Sequence, residues 1–169
     1  VLFRSERVSL NEFRQFLLHE YPGIDLEHEL KTSSNQQDRF HVFYHLLLPL
    51  EKVQQNPSYH PEGDALYHSL QVFDLACDRL PYDEEFLTAA LLHDVGKGIS
   101  PTDHVNAGLD ALEGLITPRT AWLIRHHMEA HRINDHTIGV RAKKRLQSND
   151  SYQELVLLGE CDRGGRCQG

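Results

Sequence analysis

The sequence predicts an all-α protein, and three observations support this fold class. No segment combines sustained alternation of apolar and polar residues with β-branched enrichment, which is the pattern of strands. Apolar residues recur instead at helical spacing, between capping residues, prolines and glycines that start and stop helices. In residues 86–97, the first seven positions are apolar or small on every side, which is typical of a buried central helix. We therefore expect a compact helical bundle.

The N-terminal third contains two predicted helices separated by a polar loop. Ser9 and Glu12 have the spacing of a capping box, which opens an amphipathic helix. A second helix over residues 40–50 should kink or restart near Leu48, because proline follows it directly. We interpret residues 1–55 as a helical N-terminal extension.

Helical signals continue through the rest of the chain. A helix from about Asp64 to Leu80 carries a stripe of His68, Val72 and Leu75, which places His68 on a buried face. The central helix follows and should carry His93 and Asp94 at its far end. Later helices are predicted to begin near Thr102 or Asp103, Thr117, Gly139, and Ser148 or Asn149.

Composition restricts the class of protein. The 169 residues are 40% hydrophobic and 25% charged, as in an ordinary soluble domain. No apolar run approaches a membrane span of roughly twenty residues, and no signal peptide is recognisable, so we expect a cytoplasmic protein. Three unpaired cysteines predict free thiols rather than disulfides. The net charge of −8 argues against a broad nucleic-acid surface, and the basic run at 141–145 is more typical of a solvated helix face.

Four ligand-type residues lie on three predicted helices: His68, His93, Asp94 and Asp162. A buried imidazole or carboxylate needs a partner, and helix bundles build metal sites from such side chains on facing helices. Nitrogen and oxygen donors without thiolate favour Mn, Fe, Co, Ni or Zn over Ca. A further group exceeds the needs of one site and indicates a second metal, with Asp94 as the bridge: His104, His126, His127 and His131.

These residues, in this order on an all-α chain, resemble the HD-domain superfamily of metal-dependent phosphohydrolases. The likeness extends over residues 91–97 (LLHDVGK), His104 with Gly108, and residues 124–127 (IRHH). Residues 56–64, which precede His68, resemble the HD domain attached to some bacterial CCA-adding tRNA nucleotidyltransferases. The chain shows no polymerase or tRNA-binding region and lacks the Gly-Tyr-Pro signature of cyclic-di-nucleotide phosphodiesterases. We interpret residues 56–169 as the HD-type domain.

The resemblance implies one or two divalent metal ions per chain, among Mn, Fe, Co, Ni, Zn and Mg. One ion would be bound by His68, His93, Asp94 and Asp162, with a water or hydroxide on it as nucleophile. In two-metal members, the equivalents of His104, His126 and His127 complete a second site that shares Asp94. Neighbouring helix positions point about 100° apart, so the pattern leaves open that one of these histidines faces solvent.

We interpret the chain as a phosphohydrolase that hydrolyses a small phosphate mono- or diester, nucleotide-like, by attack of metal-bound hydroxide. Asp94 and Lys97 are the catalytic candidates, and Lys97 and Arg125 are the candidate cations for binding the phosphate. Glu62 and His131 are both candidates for the general acid. Asp64 is a candidate for orienting the His68 imidazole.

Three other interpretations remain open. The first is an HD-fold di-iron oxygenase, and the second is a regulatory or binding module with a structural metal. In the third, the chain is the domain of a larger RNA-processing enzyme, for which an RNA end would be the substrate. The remaining histidines, including His60, are interpreted as surface or packing residues.

Overall fold

The computed structural model describes residues 39–58, 60–61 and 63–166, and this part of the chain is all-α, as predicted. Its seven α-helices are α1 (Arg39–Leu47), α2 (Ala65–Arg79), α3 (Glu84–Leu92), α4 (His104–Ala111), α5 (Pro118–Asn134), α6 (Val140–Gln147) and α7 (Tyr152–Gly164). Three 3₁₀ turns connect them: Leu48–Lys52, Val95–Gly98 and Pro101–Asp103. The helix predicted to begin at Ser9 lies outside the described residues.

Helix α3 is central, and it packs against α2, α5 and α7. Asp83 caps it by accepting a hydrogen bond from the Phe86 backbone nitrogen at 3.1 Å. Phe86 is fully buried, and its side chain contributes about 2 kcal/mol of hydrophobic stabilisation. Ala89 and Ala90 are also fully buried, and their small side chains let the neighbouring helices approach closely.

The α3 helix ends at Leu92, so it does not carry His93 and Asp94 as the sequence predicted. His93 caps the helix with φ −56° and ψ −30°, and Asp94 leaves the helical conformation with φ −108° and ψ 5°. The physical reason lies at Gly96, whose backbone meets α4: a Cβ built there would be 1.8 Å from the His104 carbonyl oxygen. The His-Asp pair therefore lies in the turn that brings the chain against α4.

Four predicted helix starts agree with the structure. Asp103 precedes α4 and Gly139 precedes α6, and the other two starts have side-chain caps. Asp64 caps α2 and accepts a hydrogen bond from the Tyr67 backbone nitrogen at 2.8 Å. Thr117 caps α5 and accepts from the Thr120 backbone nitrogen at 3.2 Å, with Pro118 at the first helical position.

Two other boundaries differ from the prediction. The segment after Leu48 does restart, as a 3₁₀ turn, but it ends at Lys52 rather than at Leu50. Helix α7 begins at Tyr152, later than the predicted cap at Ser148 or Asn149. There the Asn149 side chain accepts a hydrogen bond from the Ser151 backbone nitrogen at 2.9 Å, which stabilises a turn before the helix.

The described cysteines are free thiols, as the composition predicted. Cys77 is partly buried and Cys161 is buried in α7. Burial raises the pKa of the Cys161 thiol to about 11, so it is protonated and unreactive at neutral pH. Among the helices the structure describes, none combines the length and the apolar character that crossing a membrane requires.

Candidate metal centre

The Asp94 carboxylate lies at the centre of a buried cluster, and its two oxygens face different histidines. Oδ2 is 3.4 Å from His93 Nε2. Oδ1 is 3.6 Å from His104 Nε2 and 3.8 Å from His127 Nε2. Because a carboxylate can use one oxygen toward each of two cations, this arrangement could serve two adjacent metal ions.

The first group of donors comes from α2, the turn after α3, and α7. His68, His93 and Asp94 place one ligand atom each within 4.8 Å of the others. Asp162 joins them, with Oδ1 3.1 Å from His68 Nε2 and Oδ2 3.8 Å from His93 Nε2. Two ligands that each bind a metal at about 2.1 Å can be at most about 4.2 Å apart. The His68–Asp162, His93–Asp94 and His93–Asp162 distances of 3.1, 3.4 and 3.8 Å are all below that limit.

The second group consists of Asp94, His104 and His127, whose ligand atoms also lie within 4.8 Å of one another. His104 is the first residue of α4, and His127 lies in the middle of α5. Their Nε2 atoms are 3.3 Å apart. The short turn at Gly96 brings α4 against Asp94, which explains how residues distant in sequence form one cluster.

The protonation of two imidazoles fits metal binding. His93 Nδ1 lies 2.9 Å from the Ala90 carbonyl oxygen, and His127 Nδ1 lies 2.7 Å from that of Ile124. A carbonyl oxygen only accepts, so each Nδ1 carries a proton, and Nε2 is the nitrogen of each ring that can bind a metal in the cluster. His93 Nε2 is buried and makes no hydrogen bond to any described residue. A divalent cation would satisfy this atom, so the residues fit a metal.

Burial keeps the imidazoles of the second group neutral. Burial, with a smaller contribution from the nearby His93, lowers the pKa of His127 to about 4. Burial also lowers the pKa of His104, although Asp94 acts in the opposite direction. The neutral form of the imidazole is the one that binds metals, so both side chains are ready to bind at neutral pH.

Both carboxylates are ionised. Burial raises the pKa of Asp94, but His93, Lys97 and His127 outweigh it and hold the pKa well below its usual value. For Asp162, burial also raises the pKa, and hydrogen bonds from His131 and His68 outweigh it. The buried cluster therefore supplies two negative charges that a cation can neutralise.

A cavity of about 110 Å³ opens onto this cluster. It is lined by His60, Asp94, Lys97, His104, His127, Met128, His131, Asp162 and Arg166. Sites that enclose a drug-sized ligand have volumes of about 300 to 1,000 Å³. The cavity therefore suits metal ions with a phosphoryl-sized group, and a larger substrate would extend into solvent.

Arg125 and His126 were expected in the site, but the structure places both outside the cluster. Arg125 is exposed and does not line the cavity. The His126 ring lies 5.0 Å from the Trp122 ring, and its Nδ1 is 3.5 Å from Glu129 Oε1. Because α5 turns about 100° per residue, only His127 of the adjacent pair points at Asp94.

Three residues near the cluster were assigned another role from the sequence, or none. His131, predicted to belong to the second histidine group and considered as a general acid, has Nε2 2.6 Å from Asp162 Oδ2 of the first group. Arg166 has Nη2 3.3 Å from Asp162 Oδ1, and the His60 ring lies 5.0 Å from the His68 ring. A spacing of four residues, about one helical turn, could have indicated two of them, since His131 follows His127 and Arg166 follows Asp162. Glu62, the other candidate general acid, lies outside the described residues.

The adjacent histidines of α5 provide a matched test of the second donor group. Replacing His127 with alanine should remove one Mn²⁺ per chain and lower the rate of phosphate-ester hydrolysis by about 100-fold or more, because an ion stabilises the transition state by several kcal/mol. His126→Ala should retain the metal and keep the rate within about threefold. Metal content by elemental analysis and steady-state kinetics would measure both. Equal losses in the two variants would contradict the assignment.

Comparisons with known proteins identify the family of this chain. The HD domain family matches residues 65–163, more than half of the chain. A Multifunctional CCA protein of Hahella chejuensis (strain KCTC 2396) is 34% identical over 139 residues, and one of Halorhodospira halophila (strain DSM 244 / SL1) is 33% identical over 138 residues. Each alignment covers 68% of this chain but only 32% and 33% of the relative, so the chain spans about a third of the relatives' length. The chain belongs to the HD domain family, which lies within the superfamily of metal-dependent phosphohydrolases.

Proposed function

We propose that this chain hydrolyses a small phosphate mono- or diester, nucleotide-like, with two divalent metal ions. The observation that carries the proposal is the buried Asp94 carboxylate, whose oxygens face two separate groups of histidines at a cavity. Lys97 and Arg166 line the same cavity and supply positive charge. Buried donors beside cationic side chains suit an anionic substrate whose charge increases during the reaction.

The donors divide into two overlapping sets. One ion would be held by His68, His93, Asp94 and Asp162, and the other by Asp94, His104 and His127. Nitrogen and oxygen donors without thiolate are compatible with Mn, Fe, Co, Ni or Zn, and the two carboxylates also admit Mg. When bound, such ions supply a water of lowered pKa and withdraw charge from a phosphoryl oxygen.

Lys97 is the candidate for binding the phosphate near Asp94. Its Nζ lies 2.6 Å from Asp94 Oδ2 and donates to Gln55 Oε1 at 2.6 Å. The side chain is 19% exposed and lines the cavity, so the ammonium can contact a bound phosphoryl oxygen while staying close to Asp94. As a compact point charge it favours the anion without fixing its orientation.

His131 is the candidate for donating the proton that the leaving oxygen requires. It lines the cavity and is only partly buried, so its ring can reach a group that enters from solvent. Asp162 Oδ2, 2.6 Å from its Nε2, orients the ring. The proton would pass from this imidazole to the departing alkoxide as the ester bond breaks.

An RNA end is the second candidate substrate. The relatives that match this chain are named Multifunctional CCA protein, which supports a substrate of nucleotide type. The cavity is small, so it would hold one phosphate of the nucleic acid while the rest of the molecule lay outside. A substrate panel should therefore include mononucleotides and a short RNA with a terminal phosphate.

The function is tested with protein that has been stripped of metal by a chelator and then reloaded. We expect the stripped chain to be inactive, and Mn, Co, Ni, Zn, Mg or anaerobic Fe(II) to restore hydrolysis of p-nitrophenyl phosphate, bis-p-nitrophenyl phosphate or a nucleotide. Bound metal without hydrolysis of any panel member would contradict the proposal. Oxygen consumption by the iron-loaded chain would instead support the oxygenase interpretation, and metal without either activity would support a structural role.

A further inference from the structure

We propose that Arg166 binds the phosphoryl group of the substrate on the Asp162 side of the cavity. This inference rests on the proposed function, because it assumes that the cavity receives a phosphate. It assigns to Arg166 the role that the sequence pattern suggested for Arg125, which is exposed and lies outside the cavity.

The end of α7 and the residue after it pack against α2, and this packing places Arg166 at the cavity. A Cβ at Gly164 would lie 2.9 Å from Leu75 Cδ1, and a Cβ at Gly165 would lie 2.8 Å from Val72 Cγ2. The absence of side chains at these two positions lets the end of α7 pack tightly against α2. Arg166 follows directly and lines the cavity.

The guanidinium has hydrogen-bonding capacity that the described residues do not use. Both of its hydrogen-bond contacts with described residues involve Nη2, which lies 3.3 Å from Asp162 Oδ1 and 3.3 Å from His131 Nε2. Arg166 Nε is buried and has no hydrogen-bond acceptor among the described residues. A buried donor without an acceptor is costly, so a shift of the 27% exposed side chain that brings the guanidinium against an anion in the cavity would be favoured.

A phosphate is the ligand that matches this donor. The Nε and Nη groups of arginine form a planar fork that fits two oxygens of one phosphate. Asp162 already accepts hydrogen bonds from His68 and His131, so Arg166 is not its main partner. With Lys97 beside Asp94, the cavity has one cation next to each carboxylate, so both cations are available to a phosphoryl group in it.

The test compares Arg166→Ala and Arg166→Lys with Arg163→Ala. Arg163 lies in the last turn of α7, three residues before Arg166, is 47% exposed and pairs with Asp135 at 2.6 Å, so it is a matched control. In the Mn-loaded protein, we expect Arg166→Ala to weaken the binding of inorganic phosphate, measured by calorimetry, by about 10- to 100-fold. KM should rise in parallel with little change in kcat, and lysine should restore part of the loss. Arg163→Ala should match the wild type.

Metal affinity and thermal stability separate this role from a structural one. Both should stay at the wild-type values in Arg166→Lys, in which the positive charge is retained. Unchanged phosphate affinity in Arg166→Ala would overturn the inference, and so would a loss of Mn²⁺ affinity in both Arg166 variants. Phosphate binding is measured without turnover, so a wild-type chain that binds phosphate through Arg166 but hydrolyses nothing would contradict the proposed function alone.

Discussion

Replacing Asp94 with alanine is expected to lower the rate of phosphate-ester hydrolysis by about 1,000-fold or more. The carboxylate is the one group of the described cluster that faces both sets of histidines, through Oδ2 on one side and Oδ1 on the other. Its loss would weaken both candidate metal sites at once, and each ion stabilises the transition state by several kcal/mol. Steady-state kinetics with p-nitrophenyl phosphate in the presence of Mn²⁺ would measure the change.

The matched control for this variant is Asp110→Ala. Asp110 is exposed on α4, the helix that also carries His104. Its removal should leave the rate within about twofold, since exposed charges have little effect on a buried site. An Asp94→Ala protein that is folded and hydrolyses the substrate at more than a tenth of the wild-type rate would contradict the role assigned to Asp94.

The second large effect is expected on folding stability, for Gly96→Ala. The added Cβ would lie 1.8 Å from the His104 carbonyl oxygen and 2.6 Å from the Gly108 nitrogen. Both are backbone atoms, so a side-chain rotation cannot relieve the overlap, and α4 would have to move. We expect the free energy of unfolding to fall by about 4 kcal/mol or more, measured by urea denaturation.

Gly139→Ala serves as the control for Gly96→Ala. Apart from its chain neighbours, no described residue has an atom within 4 Å of a Cβ built at Gly139, so this substitution should change the unfolding free energy by about 1 kcal/mol or less. If Gly96→Ala folds, the displaced His104 should leave the second donor group, and the metal content should fall. A Gly96→Ala protein with wild-type stability and full metal content would contradict the close packing of this turn against α4.

The fold class and the family could be predicted from the sequence because their signals are local. Capping at Asp64 and Thr117 needs only neighbouring residues, and both caps are present in the structure. The order His68, His93, Asp94 and Asp162 is likewise readable along the chain, and those side chains do lie together.

Other features depend on packing and could not be predicted in the same way. The end of α3 at Leu92 is set by the approach of Gly96 to α4, which is a tertiary contact. The choice of His127 over His126 depends on the rotation of α5 about its axis, and the apolar pattern of that helix fixes the rotation only roughly. The spacing of Arg166 from Asp162 was a local signal, but its place at the cavity depends on the tight packing of Gly164 and Gly165 against α2.

The most direct test of the account is the metal content of the purified chain after chelator treatment, loading with Mn²⁺ and dialysis. Elemental analysis should find about two ions per wild-type chain and almost none in Asp94→Ala, because Asp94 belongs to both donor groups. Ions bound by histidines elsewhere on the surface would be present equally in both proteins, so the difference reports on the cluster. The same metal content in the wild type and in Asp94→Ala, or none in either, would contradict the metal centre.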